Sequence, residues 1–175
     1  LKRLGLLRHA KSDWDDMSLR DFDRGLNKRG RKGAKLMGEH IQDSGAKFDL
    51  VVASSAERVK RTLEASELDL PVQFHETAYL GDPSTLIGLL KQVKGDPDAV
   101  LLAAHNPGLQ ELALALVPPD GENALFDEVM QKYPTAAYAV FELDIENWAD
   151  LEPGCGQLVH FARPRDLDPE LGPQD

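Results

Sequence analysis

The chain opens with a short apolar block, residues 4–7, that ends abruptly in Arg8 and His9. Continuous apolar blocks of this length, bounded by polar residues, read as buried strands. Blocks at 48–53, 72–74 and 99–104 repeat the pattern, and 136–143 and 156–161 read as two further strands. The spans between the first four carry apolar residues at helical spacing instead. Ala34, Met37 and Ile41 line one face of a helix capped by Asn27 and running to about residue 44, with Gly45 as its stop. Val59, Leu63 and Ala65 mark a second helix to about residue 67, for which Ser55 is the expected N-cap. Asp82-Pro83 opens a third, with Leu86, Leu89, Leu90 and Val93 on its apolar face and Gly95 at its end. A fourth runs over 109–117 and stops at Pro118-Pro119. Residues 118–135 read as loop with one short helix around 126–132, and 144–154 joins the last two strands as antiparallel neighbours.

Strands alternating with helices predict an α/β domain, a three-layer α/β/α sandwich around a central, mostly parallel sheet. Residues 1–165 would form it, and 166–175, rich in Pro and acidic residues, are expected to be a disordered tail. The 175 residues suffice for one real core, and 42% hydrophobic with 29% charged residues is ordinary for a soluble protein. No apolar run approaches membrane-spanning length and no signal-peptide pattern opens the chain, so a cytoplasmic setting is expected. Cys155 is the single cysteine, and no Cys/His spacing suits a metal, so neither disulfide, metal nor cofactor is expected. A net charge of −10 argues against nucleic acid and anionic membranes as partners. A small anion held by a local cluster of Arg remains compatible with it.

Such a cluster is visible at the strand ends. Were the first strand to continue, Arg8 and His9 would point to opposite faces. The simpler expectation is that it stops near Leu7 and places both side chains on the loop beyond, where open α/β sheets bind ligands. The 99–104 strand likewise exits into His105, with a helix N-terminus beside it. Arg58 falls in the first turn of its helix, where a cation opposes the dipole. A bound anion would reverse that sign and recruit the free backbone N–H groups.

Arg8, His9, Arg58 and His105 together could surround one small anion. Guanidinium forks suit phosphate oxygens. A neutral imidazole can attack phosphorus near neutral pH while a second donates a hydrogen bond to the transferring group. The cations would stabilise the spread charge of the transition state without a metal. The attacking ring needs one bare nitrogen and the other donating to a fixed acceptor, such as a backbone carbonyl. Glu76, at a strand exit, reads equally as a proton donor or an ordinary surface carboxylate. The loop after His9 carries five Asp up to position 23, in a spacing that matches no calcium loop. It reads as a solvated surface from which Lys11, Ser12 and Arg24 could reach a ligand, and its charge could steer a basic protein partner.

Leu6-Leu7-Arg8-His9-Ala10, Ser54-Ser55-Ala56-Glu57-Arg58 and Ala104-His105-Asn106-Pro107-Gly108 resemble the three signature segments of the histidine phosphatase superfamily. Ala10 stands where that family usually has Gly. Residues 23–30 resemble the segment that marks its short, SixA-like phosphohistidine phosphatase branch, with Gly25 where Pro is commoner. The resemblance covers roughly residues 3–165. It implies a phosphoglycerate mutase-like fold, His9 as the phosphorylated nucleophile, Arg8 and Arg58 as phosphoryl ligands, and His105 as the second imidazole. Larger members carry an acidic donor on an inserted segment only loosely like the context of Glu76, and the short branch lacks a clear equivalent. The implied activity is a metal-independent phosphatase working through phosphohistidine, on protein phosphohistidine or a small phosphomonoester. A phosphomutase of the same fold, or a phosphate-dependent binding module without turnover, are the alternatives.

Overall fold

The computed structural model describes residues 1–172. Six strands, β1 (Lys2–Arg8), β2 (Leu50–Ser54), β3 (Val72–His75), β4 (Ala99–Ala104), β5 (Tyr138–Leu143) and β6 (Gly156–Ala162), form one sheet in the order β3-β2-β4-β1-β5-β6. The pairs β1–β4, β2–β4 and β2–β3 are parallel, whereas β1–β5 and β5–β6 are antiparallel. Parallel pairing needs crossovers, and α1 (Lys28–Asp43), α2 (Glu57–Ser66) and α3 (Pro83–Lys91) supply them. Helices α4 (Gly108–Leu116), α5 (Ala124–Gln131) and the short α6 (Pro164–Leu167) complete the set.

Alternation along β1 sends Leu4 and Leu6 to one face, where they join Leu86, Leu109 and Phe126 of α3, α4 and α5. Leu7 joins Met37, Ile41, Val59 and Leu63 of α1 and α2 on the other face. Each such fully buried aliphatic side chain contributes roughly 1.5–3 kcal/mol. β4 is buried at every position, which explains why its sequence is a continuous apolar run rather than an alternating one.

Several expectations are corrected. β1 does not stop at Leu7: Arg8 is its last residue, in register with Ala104 of β4, and only His9 lies beyond the strand. Pairing with β4 reaches Arg8, and on the other side the Arg8 amide donates to the Ala137 carbonyl just before β5 at 3.0 Å, which holds the strand extended to that point. Ser55 is not the cap of α2; Ala56 occupies that position without a side-chain cap, because β2 runs on through Ser54 and the turn comes one residue later. The 166–175 stretch is not a disordered tail over its described part. Helix α6 and a 3-10 turn at Pro169–Leu171 fold back, with Leu171 7% exposed and Lys32 of α1 bridging to Asp168 at 3.0 Å. Residues 173–175 lie outside the described residues. His40 of α1 and His160 of β6 meet Nε2 to Nε2 at 2.8 Å and link the two elements. Among the described residues no helix is long and apolar enough to cross a membrane.

Candidate active site

The chain order of the strands reverses at β1 and β4, so a crevice opens beyond their carboxyl ends. Parallel pairing of Arg8 with Ala104 makes the residues that follow each strand neighbours. The His9 amide donates to the Ala104 carbonyl at 3.1 Å, and the His9 and His105 rings lie 5.2 Å apart between centroids, tilted by 51°. Two histidines separated by 96 positions are thus set side by side by sheet register.

His9 is 7% exposed, and its Nδ1 lies 2.8 Å from the Ala10 carbonyl oxygen. A carbonyl only accepts, so Nδ1 carries the proton and, in the neutral ring, Nε2 holds a lone pair. Burial drives the His9 pKa down to about 3; the Ala10 carbonyl opposes that shift, and Arg8, His105 and Arg58 reinforce it. The ring is therefore neutral across the physiological range. His105, 2% exposed, is also lowered to about 3, by burial and then by Arg58 and Arg8, against an opposing contribution from Asp21. Its Nε2 pairs with the Ser54 hydroxyl at 2.7 Å, and its buried Nδ1 has no hydrogen-bond partner among the described residues.

The two arginines flank this pair. Arg8 Nη1 donates to the Tyr133 carbonyl at 3.1 Å, and that oxygen also accepts from Asn106 Nδ2 at 3.0 Å. Arg58 lies in the first turn of α2, as its sequence position predicts, and is 6% exposed. It donates from Nη1 to the Asp21 carbonyl at 2.7 Å and from Nη2 to Asp21 Oδ2 at 3.0 Å. Thr62 ties the motifs together: its Oγ1 accepts from the Ala10 amide at 2.9 Å and donates to the Arg58 carbonyl at 2.6 Å.

Arg8, His9, Arg58 and His105 thus converge, whereas the other sequence candidates do not join them. Arg24 is buried, but its guanidinium stacks on Trp14 at 4.0 Å and Nη1 donates to the carbonyls of Asp13 and Asp16 at 3.5 and 3.3 Å. It holds the loop together. Ser12 forms an isolated bridge with Leu26 through its backbone. Glu76 is exposed in a 3-10 turn at Glu76–Ala78, and no hydrogen bond or ion pair links it to the cluster.

Two residues in the site were not singled out from the sequence. Asp21 sits in a 3-10 turn at Asp21–Asp23 and caps Arg58. Tyr79 donates its hydroxyl hydrogen to Asp21 Oδ2, and its ring lies edge-on to His105 with centroids 5.3 Å apart. Partial burial pushes the Asp21 carboxyl up, but the hydrogen bonds from Tyr79 and Arg58 more than reverse this, leaving it below the usual carboxylate range. Burial, then the bond to Asp21, raises the Tyr79 hydroxyl. A single Asp among five in one loop carries no distinguishing sequence mark; only the Phe22–Tyr79 edge contact and the path of the loop bring it here.

Residues 4–81 match the model of the histidine phosphatase superfamily (branch 1). An uncharacterised protein of Mycobacterium tuberculosis is 35% identical over 160 residues, spanning 91% of this chain and 100% of that one. A solved structure assigned as phosphohistidine phosphatase SixA of Nakamurella multipartitia superposes with a TM-score of 0.84 at 26% identity, over 93% of this chain and 96% of that one. A 2,3-bisphosphoglycerate-dependent phosphoglycerate mutase of Bartonella quintana is 26% identical over 79% of this chain and 68% of the mutase. The chain belongs to the histidine phosphatase superfamily, and its fold is that of the superfamily's compact, SixA-like branch.

Proposed function

We propose that this protein is a phosphatase that transfers the phosphoryl group of a phosphohistidine to His9 and then to water. The observation that carries this reading is the state of His9: a neutral ring, Nδ1–H fixed on a backbone carbonyl, set between two guanidinium groups. Nε2 attacks phosphorus as the substrate's P–N bond breaks, and the departing nitrogen takes a proton from solvent. Water then attacks the phosphorus on His9, the Nε2–P bond breaks, and inorganic phosphate leaves. Arg8 and Arg58 neutralise the equatorial oxygens in both steps. His105 donates from Nδ1, so the Ser54 hydroxyl donates to its Nε2. The unpartnered nitrogen then gains the bond it lacks, and leaving it unmade costs about 1–3 kcal/mol. Two fixed guanidinium groups supply the charge that a metal supplies in other phosphoryl-transfer sites.

A phosphoramidate is the favoured substrate because the site offers no ready acid at neutral pH. Asp21 is held ionised, Tyr79 keeps its proton, and Glu76 is exposed without a side-chain bond to the cluster. A nitrogen leaving group protonates without such help, whereas an alkoxide depends on it. Within the loop after His9, Arg24 is committed to Trp14 and the loop carbonyls and is not offered to a second phosphoryl group of a mutase substrate. A screen in the presence of a chelator tests the assignment. A phosphohistidine protein is expected to be hydrolysed with a higher kcat/KM than phosphoserine peptides or sugar phosphates. Preference for the esters, or transfer of phosphate between small molecules, would point to the other readings.

A further inference from the structure

A second basic feature lies beside the phosphate site and is not used by it. A small groove of about 40 Å³, open to solvent, begins at Ala10 and Lys11, immediately after His9. Five of its fourteen lining residues are cations, Lys11, Arg29, Lys132, Arg163 and Arg165, and none is acidic. In a chain with net charge −10 this is a local reversal of sign. Arg29 donates to the Glu170 carbonyl, and Arg163 pairs with Asp166 and Glu128. The side chains of Lys11, Lys132 and Arg165 make no hydrogen bond or ion pair among the described residues. The floor is apolar, built from Ala10, Pro134, Ala136, Pro164 and Leu171.

The groove and the phosphate site share backbone. The Ala136 amide donates to the His9 carbonyl at 2.9 Å, and Pro134 follows Tyr133, whose carbonyl holds Arg8. A ligand seated in the groove is therefore covalently close to the reacting centre. The Asp-rich loop offers no comparable docking surface. Four of its five carboxylates are already engaged: Asp13 with the Asp15 amide, Asp16 with Ser18, Asp23 with Arg20, and Asp21 with Arg58 of α2.

We propose that the groove docks an acidic segment of the protein partner that presents the phosphohistidine, with carboxylates on its cationic rim and aliphatic side chains on its floor. A compact second anion, such as another phosphate, would gain nothing from the apolar floor, whereas a segment mixing Glu or Asp with Leu or Val uses both. The identity of the partner's phosphorylated residue rests on the phosphatase reading above; the groove's preference for acidic segments does not.

The test separates the two. Fluorescent, unphosphorylated peptides of equal length, one alternating Glu with Leu and one alternating Lys with Leu, are titrated against the full chain by anisotropy. Turnover of p-nitrophenyl phosphate is followed in parallel. The Glu peptide is expected to bind, with an affinity that falls steeply with salt. Lys132→Glu with Arg165→Glu should weaken it roughly tenfold, and the milder pair Lys132→Gln with Arg165→Gln roughly threefold, with ester turnover unchanged. Equal binding of the two peptides, or undiminished Glu-peptide binding in both folded variants, overturns the groove. Glu-peptide binding that responds to these substitutions in a protein that turns over no phosphorylated compound would sustain the groove and remove the phosphatase.

Discussion

Burying two neutral imidazoles among cations makes the fold acid-labile in a way that one substitution can expose. Both His9 and His105 have folded-state pKa values of about 3, below the ordinary 6.5 that the unfolded chain restores. Below pH 6.5 the unfolded chain therefore binds protons that the folded chain refuses. The stability tied to each ring is intact above that pH and drains as pH falls toward 3. At pH 4.5 an unfolded imidazole is about a hundredfold protonated over neutral and the folded one hardly at all, so each ring has withdrawn on the order of 3 kcal/mol, against almost nothing at pH 7. His9→Asn keeps an N–H donor within reach of the Ala10 carbonyl but cannot titrate. Urea unfolding of both proteins at pH 7 and pH 4.5 gives the four free energies needed. Wild type is expected to lose roughly 2–3 kcal/mol more than the variant between the two pH values, a large share of a modest domain stability. Parallel losses in the two proteins would refute the claim that His9 is held neutral by its surroundings.

Asp21→Asn removes a carboxylate from the fork of Arg58 and should tighten tungstate or phosphate binding about tenfold by calorimetry. Weaker binding would mean that the carboxylate serves chiefly to hold Arg58 in place. Glu76→Gln should leave kcat on a phosphohistidine protein within about twofold, since the residue is exposed outside the cluster. A hundredfold loss would make it the missing acid. Gly108→Ala should cost roughly 2–4 kcal/mol in urea unfolding, because an added Cβ would collide with the Gly81 carbonyl oxygen and push α4 away from the loop before α3. An unchanged midpoint would show that this contact yields freely.

The four converging residues were legible because each follows a feature with its own sequence mark: an apolar block ending in a polar residue, or a cation in the first turn of a helix. Strand exits in a parallel sheet share one edge, so sequence order sufficed to bring Arg8, His9, Arg58 and His105 together. What escaped depended on the path of irregular backbone. Asp21 and Tyr79 reach Arg58 and His105 through two 3-10 turns whose conformation no period encodes. Arg24 was drawn the other way, onto Trp14, because an exposed indole gives a guanidinium a flat partner close by in the same loop. The 166–172 part of the expected tail looked disordered by composition; Leu171 and the ion pair from Lys32 hold it down, and neither is visible until α1 is in place.

The most direct measurement concerns the covalent state of His9. Brief mixing with a ³²P-labelled phosphohistidine protein, followed by alkaline denaturation, should leave label on this chain, stable in base and lost in acid, on the peptide that contains His9. The label should be absent from His9→Asn and should accumulate when water attack is slowed by cooling. Turnover that proceeds with no label on this peptide, or with label retained by His9→Asn, would contradict a phosphohistidine at position 9.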